Sequence, residues 1–322
     1  MPLYMAGRFP RHGDTDDQRI WWSRTYDGNN WNGMNEVPNA NSAAGPSLAT
    51  WHDRLYMAYS GVYASGTEDR SMSWSSFDGD SWSPPLGILD REMRFNQTAR
   101  RPVLISRPDR LHLYWAGHLD NFGNPDHKIY HATYDGQQWQ SAGALLNGLP
   151  VSGNGIYLSN AHTADVYLLT REGDNIILYR SSDGYDFDVN NRTVLPHRCL
   201  GLPSFVGYPG FMTATLMVTY IKSARGGLFG STSTDRGYTW GAEFAVTNFH
   251  GTQPDYGAWG SADPFAVWVG GDSRVYTGRP AAGSSWRDPA TGNPLAPDQQ
   301  PVYQLSSGTT PTLAAYGDIL FP

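Results

Sequence analysis

Six copies of one aromatic-tagged turn punctuate the chain and constrain its fold more than any other feature. Three are near-identical: Thr25-Tyr26-Asp27-Gly28-x-x-Trp31, Ser76-Phe77-Asp78-Gly79-x-x-Trp82 and Thr133-Tyr134-Asp135-Gly136-x-x-Trp139. Ser181-Ser182-Asp183-Gly184-x-x-Phe187 keeps the frame with Phe for Trp, and Ser233-x-Asp235-x-Gly237-x-Thr239-Trp240 is a longer form. Gly283-Ser284-Ser285-Trp286 retains only the glycine and the tryptophan. Successive terminal aromatics lie 46 to 57 residues apart. A recurrence at about fifty residues implies an array of one supersecondary unit, each hiding its apolar face only against its neighbours.

The turn has a physical logic. Asp-Gly supplies a pair of residues able to take positive φ, as tight hairpins require, and the Asp carboxylate can bond nearby backbone amides. The Trp that follows begins the next strand and can pack on a neighbouring unit. Short β-branched and aromatic runs precede the turns: Arg19-Ile20-Trp21-Trp22-Ser23, Met72-Ser73-Trp74-Ser75, Lys128-Ile129-Tyr130-His131 and Ile176-Ile177-Leu178-Tyr179. A second motif lies upstream, Asp53-Arg54-Leu55-Tyr56-Met57-Ala58-Tyr59 and Asp109-Arg110-Leu111-His112-Leu113-Tyr114-Trp115, with degenerate versions at 165–169, 216–220 and 265–268. A third comes before that, as in Pro46-Ser47-Leu48-Ala49, Pro102-Val103-Leu104-Ile105, Pro203-Ser204-Phe205-Val206 and Pro311-Thr312-Leu313-Ala314.

With the segment after each Trp, every unit has four strands, the content of a propeller blade. The chain opens on a second-strand motif, Pro2-Leu3-Tyr4-Met5-Ala6, and closes on an orphan first strand, Pro311-Thr312-Leu313-Ala314-Ala315-Tyr316. The expectation is an all-β, six-bladed propeller of four-stranded blades over residues 1–322. One blade is completed by both ends of the chain, which closes the ring and leaves no open sheet edge. Length alone would suggest two domains; the repeat argues for one.

Composition excludes several classes. A net charge of −7 with no basic run argues against nucleic acid and anionic membrane surfaces. The single cysteine, Cys199, excludes an internal disulfide framework and is expected to be a small buried residue. No apolar stretch is long enough to span a membrane as a helix, and no signal peptide is read at Met1-Pro2-Leu3-Tyr4, so localisation is left open. No cofactor is expected, since Walker, Rossmann and nucleophile-elbow motifs are all missing from the sequence. Asp14-x-Asp16-Asp17 lacks the Gly and Glu of an EF-hand loop, and the nine histidines show no zinc spacing.

The stretch Ser233-Thr234-Asp235-Arg236-Gly237-Tyr238-Thr239-Trp240 resembles the Asp-box of sialidases and related propellers, and the Asp-Gly-x-x-Trp turns look like shortened relatives. The unit from Arg54 to Ser83 is similar to repeats of bacterial and fungal propellers, several of them lectins or lectin-like. That resemblance covers the whole chain and implies the fold; Asp-boxes lie on structural turns, so function must be argued from a site.

In a four-stranded blade the second-to-third and fourth-to-first connections share one face. Three of those connections are long and polar, bearing Arg8, His12 and Asp14; Asp69 and Arg70; and His118 and Asp120. Their counterparts at 171–174, 223–226 and 270–273 are short. Ligand sites favour loops held by a rigid scaffold. Arg100, Arg101, His197 and Arg198 lead into first strands near the central channel of the same face, where a guanidinium can clamp a carboxylate or sugar hydroxyls. The same residues could equally fill a narrow polar channel by pairing with Asp and backbone carbonyls. Trp22, Trp74 and Tyr130 offer rings for the C–H face of a sugar in inter-blade grooves, or belong to the core.

These features fit a carbohydrate-binding, lectin-like propeller without catalytic turnover, whose partner is a glycan or another small polar ligand. A sialidase-like glycoside hydrolase is the first alternative, and a protein-interaction scaffold the second. The resemblance implies three arginines around a carboxylate for a sialidase. Arg101 and Arg198 supply two by position, but His250 and Gln253 stand where a third is sought, and the Arg-Ile-Pro opening is missing. Glycoside hydrolysis also needs two carboxyl groups, or a Tyr with an acid, across the sugar. Oligomeric state is not legible.

Overall fold

β-Branched and aromatic residues fill the runs between turns, and every regular element of the described chain is a strand. The computed structural model describes residues 2–9, 17–28, 30–62, 68–89, 97–98, 100–118, 126, 128–145, 156–159, 165–201, 203–208, 215–222, 228–247, 255–257, 265–269, 274–281, 284–287, 303–306 and 311–315. No helix among them is long and apolar enough to cross a membrane.

The first sheet comprises β1 (Leu3–Arg8), β2 (Arg19–Thr25), β3 (Asn35–Trp51), β4 (Arg54–Val62), β5 (Glu68–Phe77), β6 (Leu86–Gly87) and β24 (Thr312–Ala315), in the order β24-β1-β2-β3-β4-β5-β6. Its length has a simple origin. Asn35, Glu36 and Asn41 of β3 pair with β2, whereas Ser42 and the run from Pro46 to Trp51 pair with β4. One strand thus ends one four-stranded unit and begins the next, kinking at a register shift beside Gly45, whose φ is +84°. The repeat pattern predicts two separate strands here, and the structure joins them.

The second sheet holds β7 (Val103–Ser106), β8 (Leu111–Ala116), β9 (Ile129–Tyr134) and β10 (Trp139–Leu145). The third holds β11 (Tyr157–Ser159), β12 (Val166–Glu172), β13 (Asn175–Ser181) and β14 (Thr193–Arg198). The fourth holds β15 (Ser204–Tyr208), β16 (Thr215–Ile221), β17 (Leu228–Ser233) and β18 (Phe244–Thr247). The fifth holds β19 (Asp255–Gly257), β20 (Phe265–Val269), β21 (Arg274–Ala281) and β22 (Ser284–Arg287). There β23 (Tyr303–Ser306) pairs with the start of β21 while β22 pairs with its end, so two pieces share one edge. All pairings are antiparallel, as consecutive hairpins dictate.

Residues distant in sequence also pair. Leu3 sits opposite Ala315 and Ala6 opposite Thr312. Leu3, Met5 and Leu313 then pack with Phe265, Val267 and Val275 of the fifth sheet.

The turn aromatics place the core at the seams between sheets. Trp82 meets Trp22 at 6.4 Å, Trp139 meets Trp74 at 6.2 Å, and Phe187 meets Tyr114 at 6.3 Å. Trp240 packs on the cluster of Tyr167 and Leu178. Each ring docks on the four-stranded unit before its own, and Trp31 continues the series against Phe265 at 6.5 Å. Burying such a ring contributes roughly 1.5–3 kcal/mol, so the tag on each turn is also the bolt of a seam.

The turns differ from expectation in one respect. Gly28, Gly79, Gly136, Gly184 and Gly237 take positive φ, but Asp27, Asp78, Asp135 and Asp183 do not. The loop is longer than a two-residue hairpin, so the Asp stays in an ordinary conformation and caps the amides ahead of it. Asp135 Oδ1 accepts from Gln137 N and Gln138 N at 2.8 and 2.9 Å, and Asp183 Oδ1 does the same for Tyr185 and Asp186. A true two-positive-φ hairpin occurs at His52-Asp53, which joins β3 to β4.

Candidate ligand-binding face

The connections β4–β5 and β8–β9 and the segment leading into β7 gather at the end of the strands opposite the Asp-Gly turns. There the sequence produces a bulge. Val62 pairs with Glu68 and Ser60 with Met72, so one residue of β4 faces three of β5. Arg70 lies inside this bulge with φ +58°, a conformation that costs an ordinary side chain about 1 kcal/mol or more. Bulges re-aim side chains. The guanidinium Nη1 of Arg70 reaches Nε2 of His118, just past β8. Arg is always a donor, so the imidazole accepts through Nε2 and carries its proton on Nδ1.

Two further groups set this junction. Thr98 N donates to Arg70 O at 2.8 Å, and Ser71 bridges Gln97, so residues 97–98 strap the bulge. Arg100 N donates to the buried Thr98 Oγ1 at 3.1 Å, which brings Arg100 and Arg101 towards the same corner. On the other side, Asp126 N donates to His118 O at 3.1 Å. The buried Asp126 carboxylate accepts from Tyr130 Oη at 2.5 Å and from Lys128 N at 3.1 Å. Tyr130 stacks on Trp115, with ring centroids 5.8 Å apart. Gly117 makes this packing possible, because a Cβ there would lie 2.8 Å from both Asp126 Oδ2 and Tyr130 Cε2.

Arg8, at the end of β1, is a separate centre. Burial pushes its guanidinium pKa down, and the charge of Asp17 works the other way. Asp17 is itself buried and accepts from Arg19 N, Nε and Nη2 at 3.0, 2.9 and 2.7 Å. Arg19 also reaches Glu36 at 3.2 Å and lies over the Trp21 ring. This is a structural ion-pair network beside the face.

Of the residues expected to bind ligand, Arg70 and His118 are brought into contact, with Arg100 and Arg101 on the adjoining segment. His197 and Arg198 lie elsewhere, in β14. The His197 ring stacks on Tyr220 at 5.5 Å with Nδ1 3.9 Å from Glu243, and burial lowers its pKa. Trp22 and Trp74 are half-buried inside aromatic stacks, against Tyr4 and Phe77 and against Tyr56 and Tyr134 respectively. Tyr130 is buried. His12, Asp14 and Asp120 lie outside the described residues, as do His250 and Gln253, and the Asp69 side chain is likewise not described. Asp126 and Thr98 were not singled out from sequence, although Asp126 sits in the same long polar connection as His118. Among the described residues no three His, Cys, Asp or Glu side chains converge as a metal site.

No family model matches the chain, and no curated protein sequence matches it significantly. Solved structures do. A Penicillium chrysogenum α-L-arabinanase complexed with arabinobiose superposes with a TM-score of 0.61 at 14% identity, covering 83% of this chain and 85% of that one. An Aleuria aurantia lectin variant in complex with Fucα1-6GlcNAc gives 0.56 at 13% identity, covering 85% and 87%. The Hadza microbial sialidase Hz136 gives 0.58 at 14% identity over 78% of this chain, which spans 57% of that enzyme's length. The fold is therefore an all-β propeller.

Proposed function

We propose that this chain is a carbohydrate-binding, lectin-like propeller that holds its ligand without turning it over. We further propose that it has six four-stranded blades in a closed ring. Splitting the first sheet at the shared β3 gives two blades, and the other four sheets supply one each. The pairing of β24 with β1 and the docking of Trp31 on Phe265 support closure between the first blade and the last.

The observation that carries the binding reading is the Arg70–His118 junction. A non-glycine residue is held in a left-handed bulge so that its guanidinium meets an imidazole from the next blade. Strain of this kind persists where the surroundings over-determine it, and binding sites are a common place for it. Arg donors with Arg100 and Arg101 nearby suit hydroxyls or a carboxylate. Sugar ligands also recur among the fold's solved examples, with arabinobiose and a fucosylated disaccharide in two of them. Three of the described carboxylates near this end of the strands are engaged: Asp17 by Arg19, Asp126 by Tyr130, and Glu172 by Arg192 at 2.6 Å. That engagement favours binding over hydrolysis.

One contact favours the second reading, a glycoside hydrolase. The 2.5 Å bond from Tyr130 Oη to Asp126 pairs a tyrosine with an acid, a combination some glycosidases use. A glycan array followed by a panel of aryl glycosides separates the two. Saturable binding with no release of the chromogenic group supports the lectin, turnover supports the enzyme, and neither result removes the carbohydrate reading.

A further inference from the structure

Within β8 and β9, where they pack on the third sheet's Asp-Gly turn, two imidazoles are buried face to face. His112 and His131 are 1% and 0% exposed, and their rings stack with centroids 5.0 Å apart. His131 Nε2 lies 3.0 Å from His112 Nδ1. Tyr114 Oη is 3.2 Å from the same Nδ1 and donates to Gly184 O, in the next blade's turn, at 2.8 Å. A Cβ on Gly184 would fall 2.8 Å from Tyr114 Oη and 3.0 Å from His112 Nδ1, so the turn backbone is pressed directly on the histidines. Tyr185 closes the edge, 5.3 Å from His112 and 4.8 Å from His131.

We propose that the seam between the second and third sheets is an acid-sensitive latch: an added proton on the His112–His131 pair opens this seam while the others stay packed. The contact works with one proton, carried on His112 Nδ1 and shared by His131 Nε2 and Tyr114 Oη as acceptors. The Tyr114 hydrogen is already committed to Gly184. A second proton on His131 Nε2 removes the acceptor and sets an N–H against an N–H, and one on His112 Nε2 places a charge in a buried site. The new charge also finds poor company. Arg107 and Arg110 face the pair, Arg107 bonding Ser182 O and Arg110 bonding Asp109 and Tyr185 Oη. Asp109 is taken by Arg110, and Asp183 accepts from Ser181 Oγ and the amides of Tyr185 and Asp186.

The titration direction agrees. Burial first, and then Arg107, holds His112 at about 4; burial and then His112 hold His131 at about 3, against an ordinary 6.5. Lowered imidazole pKa values mean that the closed seam is fully favoured above about 6.5 and weakens as pH falls towards 4. Tyr130 neighbours His131 in β9 and His118 lies just past β8, so opening here loosens the mounting of the ligand-binding corner.

Hydrogen exchange followed by mass spectrometry at about pH 7.5 and about pH 4.5 reads this directly. Protection in segments 111–116, 129–134 and 182–187 is expected to fall about tenfold per pH unit for each extra proton taken up on opening. Segments 216–221 and 228–233 in the fourth sheet should hold. The double change His112→Phe with His131→Phe leaves Tyr114 bonded to Gly184 and should flatten the acid response. Loss of protection everywhere at once, or an unchanged response in the double variant, overturns the latch. If that variant does not fold at neutral pH, an imidazole NMR titration of the wild type decides. His112 and His131 staying neutral until below about pH 5 supports the latch, and both titrating near 6.5 sinks it.

Discussion

Arg70 and His118, 48 residues apart, meet side chain to side chain where two blades join. A guanidinium is the strongest kind of donor among the side chains described at that corner. Arg70→Ala is therefore expected to weaken glycan binding by roughly 1.5–3 kcal/mol, about ten- to a hundredfold in Kd. Arg101→Ala should fall in the same range where its guanidinium also meets the ligand. Titration calorimetry on variants with wild-type melting checks both, and an unchanged Kd for Arg70→Ala would move the ligand elsewhere.

Gly117 is the packing hinge of the same corner. Gly117→Ala forces Asp126 and Tyr130 apart and is expected to cost about 1–3 kcal/mol of stability together with ligand affinity. Gly33 has nothing within 4 Å of its added Cβ, so Gly33→Ala should stay within about 0.5 kcal/mol. Denaturant midpoints of the two variants test the contrast.

The fifth turn gives two linked expectations. Ser233 Oγ accepts from Gly237 N at 2.8 Å, so Ser233→Ala leaves a buried amide without its acceptor and should cost about 1–3 kcal/mol. Burial opposes the Asp235 carboxylate, but bonds from Thr239, Ser233 and Tyr238 outweigh it and hold its pKa at about 2. The stability this provides is complete above the ordinary carboxyl value and is lost as pH falls towards 2. Melting temperatures between about pH 6 and pH 2 should show that acid loss in wild type, with a smaller loss in Asp235→Asn.

Ring closure is tested at β24. Leu313 is buried against Met5 and Val267, and Leu313→Asp would bury a charge there. That substitution should destabilise by about 3 kcal/mol or more, and deleting residues 311–322 by at least as much. A truncated protein with wild-type thermal unfolding would show that the terminal pairing contributes nothing.

Much of the fold was legible because its determinants are local and recur. The Asp-Gly turns, the aromatic after each, and the alternating runs between them all name strands without reference to distant residues. The shared strand β3 was not legible, since only a kink at Gly45 separates its two roles. The conformation of the aspartates was misread because the hairpin template assumed a two-residue loop. The site was legible only in outline. Arg70 and His118 could be chosen as polar residues in long connections, but the bulge that turns one towards the other depends on the register between β4 and β5. The buried pair His112 and His131 carries no sequence signal, as each looks like an ordinary strand residue until the strands are aligned.

The central claim, a single glycan site at the Arg70–His118 corner, is most directly tested by stoichiometry. Isothermal titration with a glycan chosen from the array should give one site per chain in the wild type and a loss of that binding in Arg70→Ala. Three or more equivalent sites per chain, unchanged in Arg70→Ala, would contradict it and place binding in the inter-blade grooves.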